Sequence, residues 1–110
     1  MNITITARHF KAHETLKEYV FESLSKLEKY YDGIISVEVI FSYEKPAQSV
    51  KTAEVHVSVY GAVLKATEKS GEFFKSFDAA VGKVERQIVK YKSKHREKRK
   101  STIRHQQAKV

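Results

Sequence analysis

Apolar residues recur along this chain with two different spacings, and the order of these spacings constrains the fold more than any other feature. In two segments they follow the period of three to four residues that is typical of an amphipathic helix. In four others they alternate with polar residues, as in strands with one buried face. The order is strand, helix, strand, strand, strand, helix, which predicts an α+β fold of βαβββα layout.

The two helical segments have recognisable ends. The first is predicted to span about residues 14–31 and to stop at Gly33, which can adopt a left-handed conformation. Its apolar residues are Leu16, Tyr19, Val20, Leu24, Leu27, Tyr30 and Tyr31. The second is predicted to open at Ser70 or Gly71, with Glu72 in its first turn. Its apolar residues are Phe73, Phe74, Phe77, Val81, Val84, Ile88 and Tyr91.

The alternating segments predict a four-stranded mixed sheet with both helices packed on one face. The first strand should pair in parallel with the second through the helical crossover, and hairpins should make the other pairs antiparallel. A flexible loop is expected over 45–50, and a shorter last strand through Leu64 and Ala66. The other face of the sheet, which no helix covers, is called the open face. It would present Glu38, Ile40, Ser42, Glu54, His56, Ser58 and Tyr60. It carries one aromatic residue, so we do not expect bases to stack on this sheet.

Positive charge is concentrated in the last quarter of the chain. The 110 residues carry a net charge of +8. Residues 83–110 contain eleven Lys and Arg and two acids, a net +9, so the first 82 residues carry −1. This asymmetry indicates a polyanionic partner. Nucleic acid is the leading candidate, and an anionic membrane surface is the second.

Four cations of the second helix share one face. At about 100° per residue, Lys83, Arg86, Lys90 and Lys94 form a stripe roughly 125° from the buried stripe. Cations so arranged repel one another, and carboxylates on the same stripe are scarce. The preference of Lys and Arg for helix C-termini explains only the last turn, because the effect of the helix dipole fades within one turn. The stripe therefore predicts a surface for an anionic ligand.

Signals for catalysis or metal binding are weak. The chain has no Cys, and therefore no thiolate ligand or nucleophile. His9 and His13 are four residues apart, but His9 falls in a predicted connection, so we expect no metal site. His56 beside Glu54 is interpreted as a solvated pair, since no nucleophile accompanies it. We expect no enzyme activity, no cofactor and no small-molecule substrate. The N-terminus does not resemble a signal peptide, which favours a cytoplasmic protein.

Four segments of the chain resemble the short ribosome hibernation promoting factors and the related protein Y, a ribosome-associated inhibitor. They cover the opening strand, two parts of the first helix, the start of the second helix and its basic half. In this sequence they read ITITAR from Ile3, LKEYV from Leu16 with KLEKYYD from Lys26, FFKSFD from Phe73, and KVERQIVKYK from Lys83. Their order and spacing are more specific than any one of them.

This resemblance implies a fold related to double-stranded RNA-binding domains, and a role in translation. It implies binding to small-subunit ribosomal RNA in the channel where mRNA and tRNAs sit, with steric inhibition and no membrane partner. It also implies contacts from basic residues of the second helix and, less directly, of the first. The matching positions are Lys83, Arg86, Lys90, Lys92, Lys94, Lys26 and Lys29, and Arg96 extends the row by its charge. We expect a monomer off the ribosome.

The chain departs from the family pattern at His13, Lys75, Ser76 and Glu68. We predict a ribosome-binding domain over residues 1–96 and a basic, disordered tail over 97–110, which could add phosphate affinity or only solubility. A general module for structured RNA, or an RNA chaperone, is the alternative function. Promotion and prevention of ribosome dimerisation are both compatible with the sequence.

Overall fold

A computed structural model describes the backbone over residues 1–44 and 50–108, and side chains in these ranges up to Ser93. The elements are β1 (Asn2–Ala7), α1 (Glu14–Tyr30), β2 (Ile34–Tyr43), β3 (Lys51–Val59), β4 (Ala62–Ser70) and α2 (Phe73–Ala108). The predicted α+β class and βαβββα order are confirmed. No helix among the described residues is long and apolar enough to cross a membrane.

The sheet has the order β1-β2-β3-β4. β1 pairs with β2 in parallel, and the other two pairs are antiparallel, as predicted. Val39 and Val55 lie opposite each other at its centre and are fully buried. α2 packs against β3 and β4, and both helices contribute apolar residues to one core. The helices therefore cover one face of the sheet, and their outer sides are left to solvent.

The β3–β4 hairpin needs a glycine. Val59 pairs with Ala62, so Tyr60 and Gly61 form a two-residue loop. Gly61 has a φ of +82°, a conformation that side-chain-bearing residues rarely adopt. The hydroxyl of Tyr91 on α2 donates a 2.5 Å hydrogen bond to the carbonyl oxygen of Tyr60. This contact ties the loop to the helix that carries the basic residues.

Three sequence-based expectations about the sheet and its last connection were wrong. β4 is not shorter than β3, because backbone pairing continues from Ala62 through the polar residues to Ser70. α2 begins at Phe73, and Glu72 precedes it with a carbonyl that accepts a 3.1 Å hydrogen bond from the Ser76 amide. Ile40 is 7% exposed on the open face, because it lies on an inner strand among side chains of β1 and β3.

Two expectations, about the connection between β2 and β3 and about the C-terminal tail, stay predictions. The loop predicted over 45–50 falls mostly on residues outside the described ranges. α2 runs past residue 97 to Ala108, where the sequence predicts a disordered tail. The side chains of that stretch lie outside the described residues, and the division of the chain at residue 97 stays a prediction.

Candidate nucleic-acid interface

The basic side of α2 is held in place by a buried apolar side. Phe77 and Val84 have no exposed surface, and Ile88 is 2% exposed. Along the helix Phe77, Val81, Val84 and Ile88 follow one another at intervals of three or four residues, so they occupy one side of the helix and anchor it on the sheet. Lys83, Arg86 and Lys90 are on other sides of the helix and are exposed. The rotation of α2, and with it the direction of these cations, is therefore set by the core.

Arg86 and Lys90 are the cations most available to a ligand. They are one turn apart, and both side chains are exposed. Among the described residues, neither forms an ion pair or a hydrogen bond through its side chain. Both line a shallow hollow of about 470 Å³ together with Val89 and Tyr31. They present unneutralised positive charge on the outer side of α2, as the sequence predicts.

Lys83 differs from its neighbours in the predicted stripe. Its ammonium group forms an ion pair with the carboxylate of Glu68 on β4. Glu68 lies on the helix-facing side of the sheet, because it pairs with buried Ala53 and follows Ala66 by two positions. The sequence predicts that carboxylates on the stripe itself are scarce, and it does not reveal the carboxylate that β4 supplies to Lys83. Among the described side chains of the stripe, one cation is therefore neutralised and two, Arg86 and Lys90, are free.

Lys92 lies on the opposite flank of α2. Its ammonium nitrogen is 5.3 Å from the ring centroid of Tyr31, just after the end of α1. This cation–π contact leaves the ammonium charge uncancelled and holds the long side chain near one position. Lys92 therefore belongs to the edge of a cleft between the two helices, and not to the row formed by Arg86 and Lys90.

The cleft between α1 and α2 joins these features into one surface. It has a volume of about 460 Å³. Its lining comes from the end of α1, the residue after it, and the middle of α2: Ser23, Lys26, Leu27, Tyr30, Tyr31, Asp78, Val81, Gly82 and Glu85. Gly82 and Glu85 also line the hollow of Arg86 and Lys90, so the two depressions are continuous. We call this combined surface the helical cleft.

Of the two α1 lysines proposed from the resemblance, only one reaches the helical cleft. Lys26 lines it. Lys29 is exposed but does not line the cleft. It lies about 170° around the helix axis from the mean direction of the buried residues Val20 and Leu27. The predicted Lys94 and Arg96 have side chains outside the described residues. The structure therefore brings together Lys26, Arg86 and Lys90, with Lys92 at the edge.

A polar contact links the two helices at the other end of the cleft. The hydroxyl of Tyr19 donates a 2.6 Å hydrogen bond to the carboxylate of Asp78. This bond to Asp78 raises the pKa of the Tyr19 hydroxyl above its usual value of 10.0, with smaller contributions from burial and from the charge of Asp78. Tyr19 also contacts Phe74 edge-on, with centroids 5.1 Å apart. Asp78 is thereby engaged within the protein and fixes the spacing of α1 and α2.

Two aromatic residues that the sequence assigns to the apolar stripes of the helices are exposed. Phe74 is 38% exposed, because it faces the α1 flank of α2 and not the sheet. Tyr30 is 80% exposed at the end of α1. Tyr31, four residues after Leu27, continues the buried register and is only partly exposed. The sequence suggested burial for Tyr30 because it is three residues from Leu27, a spacing that does not show where the core ends.

The described residues offer little for catalysis or metal binding. They contain no group of three or more His, Asp and Glu side chains arranged to hold a metal ion. His56 lies between Glu38 and Glu54, with a nitrogen 3.5 Å from an oxygen of each. His9 and His13 are exposed. The one His–carboxylate cluster among the described residues therefore lies on the open face of the sheet, away from the helical cleft.

The neutralisation of Lys83 leads to a testable expectation. Glu68→Gln removes the carboxylate and leaves Lys83 free to contact an anion. We expect the affinity for a structured RNA to rise about threefold to tenfold, since a charge-assisted hydrogen bond contributes about 1.5–3 kcal/mol, part of which is lost to the freed side chain. The slope of log affinity against log salt should steepen by about one. Equilibrium binding at several salt concentrations measures both quantities.

The matched control is Glu72→Gln, which removes an equal charge from an exposed ion pair with Lys75. It should change affinity less than Glu68→Gln and leave the slope almost unaltered. Equal effects of the two variants would mean that only net charge matters and that Lys83 does not contact the ligand.

Comparison with known proteins gives consistent matches over almost all of the described chain. A family model for the Sigma 54 modulation protein / S30EA ribosomal protein matches residues 3–96. A ribosome hibernation promoting factor from Azotobacter vinelandii is 34% identical over 98 residues, which cover 89% of each chain. One from Escherichia coli is 30% identical over 94 residues, which cover 86% of this chain and 96% of the relative.

Solved structures match the fold as well. A ribosomal subunit interface protein from Coxiella burnetii has a TM-score of 0.77 at 26% identity, covering 84% of this chain and 99% of that one. The N-terminal domain of protein Y from Thermus thermophilus has a TM-score of 0.72 at 25% identity, covering 83% and 99%. Sequence and structure therefore point to the same group of relatives.

Proposed function

The chain belongs to the Sigma 54 modulation protein / S30EA ribosomal protein family, as its sequence predicts, and on that premise we propose how it acts on the ribosome. Its role is ribosome-associated and concerns hibernation. We propose that it binds ribosomal RNA of the small subunit in the channel used by mRNA and tRNAs. Bound there, it blocks translation by occupying the channel and catalyses no reaction.

One observation carries the proposal. Arg86 and Lys90 are exposed, lie one turn apart on a helix held by the core, and form no ion pair with another described residue. Arginine and lysine in such a row bind phosphates, because released counterions and charge-assisted hydrogen bonds both favour binding. Lys26 and Lys92 extend this charge to the two edges of the helical cleft. RNA is an anion of suitable length to contact all four.

The other basic residues predicted from the sequence are expected to contribute to RNA binding to different extents. Lys83 can contact RNA only if its ion pair with Glu68 breaks, because Glu68 neutralises it in the free protein. Lys29 is expected to contribute little, since it lies away from the cleft. Lys94 and Arg96, whose side chains lie outside the described residues, stay candidates, Lys94 from the resemblance and Arg96 from its charge. A ribosomal partner also implies a cytoplasmic location, and we expect the free protein to be a monomer.

Occupancy of the channel is tested by competition. We expect purified small subunits to bind the protein at 100 mM salt, and subunits loaded with mRNA and initiator tRNA to bind at most about a tenth as much, because the sites overlap. Co-sedimentation through a sucrose cushion measures the bound fraction. The protein should also prefer empty subunits over an equal mass of duplex RNA. Undiminished binding to loaded subunits would contradict steric exclusion, and equal binding to duplex RNA would favour the general RNA-binding module.

Salt dependence tests whether phosphate contacts provide the affinity. Four cations at phosphates correspond to a slope near −3.6, so affinity should fall roughly a hundredfold between 50 and 200 mM salt. A slope near zero would indicate that apolar or protein contacts dominate, contrary to the proposal.

A further inference from the structure

Tyr30 is a large aromatic residue whose exposure the fold does not require. It is the last residue of α1, it is 80% exposed, and its ring makes no aromatic contact with another described residue. Tyr31 beside it is partly buried and contacts Lys92. Leaving an apolar ring in water forgoes the free energy that burial would provide. The ring of Tyr30 therefore contributes little to the stability of the free protein.

The surroundings of Tyr30 favour a nucleotide as its partner. Tyr30 lines the helical cleft together with Lys26, one turn earlier on α1. The floor of the cleft is open at Gly82, where an added Cβ would meet nothing within 4 Å. The carboxylates of Asp78 and Glu85 also line the cleft, Asp78 being bonded to Tyr19, so its free positive charge lies at Lys26 and at Arg86 and Lys90 in the continuous hollow. Aromatic rings beside cations are the usual arrangement where proteins hold unpaired bases, with the ring under the base and the cations at the phosphates.

We propose that Tyr30 is a stacking platform for one unpaired base of the bound RNA. This inference rests on the proposed function and specifies it further. The phosphates on either side of the base lie against Arg86 and Lys90, while Lys26 binds at the rim of the cleft. The volume of about 460 Å³ is within the range of sites for small organic ligands, the size class to which a single nucleotide belongs. Helix α1 therefore takes part in RNA recognition through a ring as well as a charge.

The first test separates stacking from charge. Tyr30→Leu is expected to lower affinity for purified small subunits about tenfold, because stacking contributes about 1–3 kcal/mol per base. Tyr30→Phe keeps the ring and should stay within about twofold of the unmodified protein. Neither variant should change the slope of log affinity against log salt, whereas Arg86→Gln should reduce it by about one.

Phe21 provides the matched control. It is an aromatic residue of the same helix, 46% exposed, and about 180° around the axis from Tyr30. Phe21→Leu should leave affinity within about twofold. A Tyr30→Leu protein that binds as well as the unmodified one would overturn the inference, and so would a Tyr30→Phe protein that loses as much affinity as Tyr30→Leu, since the hydroxyl would then be responsible.

The second test identifies what Tyr30 contacts. A photoreactive benzoyl-phenylalanine at position 30 should cross-link to ribosomal RNA in intact small subunits, and the same group at position 21 should not. Cross-links from position 30 only to a ribosomal protein, or no cross-links, would overturn stacking on RNA. The proposed function would stand in these cases provided that Arg86→Gln still lowers affinity, so the two failures are distinguishable.

Discussion

Replacing Arg86 and Lys90 together by Glu is expected to lower affinity for small ribosomal subunits by about a hundredfold or more. Each substitution removes a charge-assisted contact of about 1.5–3 kcal/mol and adds repulsion from phosphates. Both side chains are exposed and unpaired among the described residues, so the fold should not be affected. Co-sedimentation at 100 mM salt measures the loss, and circular dichroism checks that the helices remain.

The control for this variant makes the same change in net charge elsewhere. Lys11 in the β1–α1 connection and Lys65 on β4 are exposed and form no ion pair with another described residue. Replacing both by Glu should reduce affinity by less than about tenfold, through the weaker long-range field alone. If the two double variants bound equally poorly, the helical cleft would not be the contact surface.

Phe77→Ala is expected to cause the largest loss of stability. Phe77 is fully buried, and its ring centroid is 6.0 Å from that of Tyr19 and 6.2 Å from that of Phe41. Removing a buried phenylalanine ring costs about 3–5 kcal/mol, from lost transfer free energy and from the cavity that remains. Since domains are stable by about 5–15 kcal/mol, this variant should unfold at much lower urea concentration.

Phe21→Ala is the corresponding control, because Phe21 is 46% exposed on α1. It should change the free energy of unfolding by about 0.5 kcal/mol or less. A loss below about 1 kcal/mol for Phe77→Ala would contradict the view that this ring anchors α2. The rotation of the helix, and with it the placement of Arg86 and Lys90, would then need another explanation.

The layout of the fold follows from local patterns that the sequence displays directly. Alternation at Val37, Val39 and Phe41 and helical spacing at Phe77, Val84 and Ile88 correctly predict the core-facing residues of β2 and α2. The length of β4 does not follow from such patterns. Its last residues include Thr67 and Lys69, which show no apolar signal, and they join the sheet because β3 offers backbone partners. Pairing of this kind depends on the neighbouring strand and not on the segment itself.

The candidate site, like the fold, can be predicted from the sequence only in part. Arg86 and Lys90 face outward because their spacing from the core residues of α2 requires it. The pairing of Lys83 with Glu68 could not be predicted from the helix alone, since it depends on how far β4 extends beneath α2. The continued alternation of Leu64, Ala66 and Glu68 was the available signal. The exposure of Tyr30 depends on where the helical cleft opens. The spacing of apolar residues along α1 does not show this position.

The most direct test is a reconstruction of the protein bound to the small subunit by electron cryomicroscopy. We predict that the domain occupies the channel of mRNA and tRNA, with the side-chain nitrogens of Arg86 and Lys90 within about 3.2 Å of phosphate oxygens of ribosomal RNA. Density for the domain outside this channel, or with the outer side of α2 turned to solvent, would contradict the account.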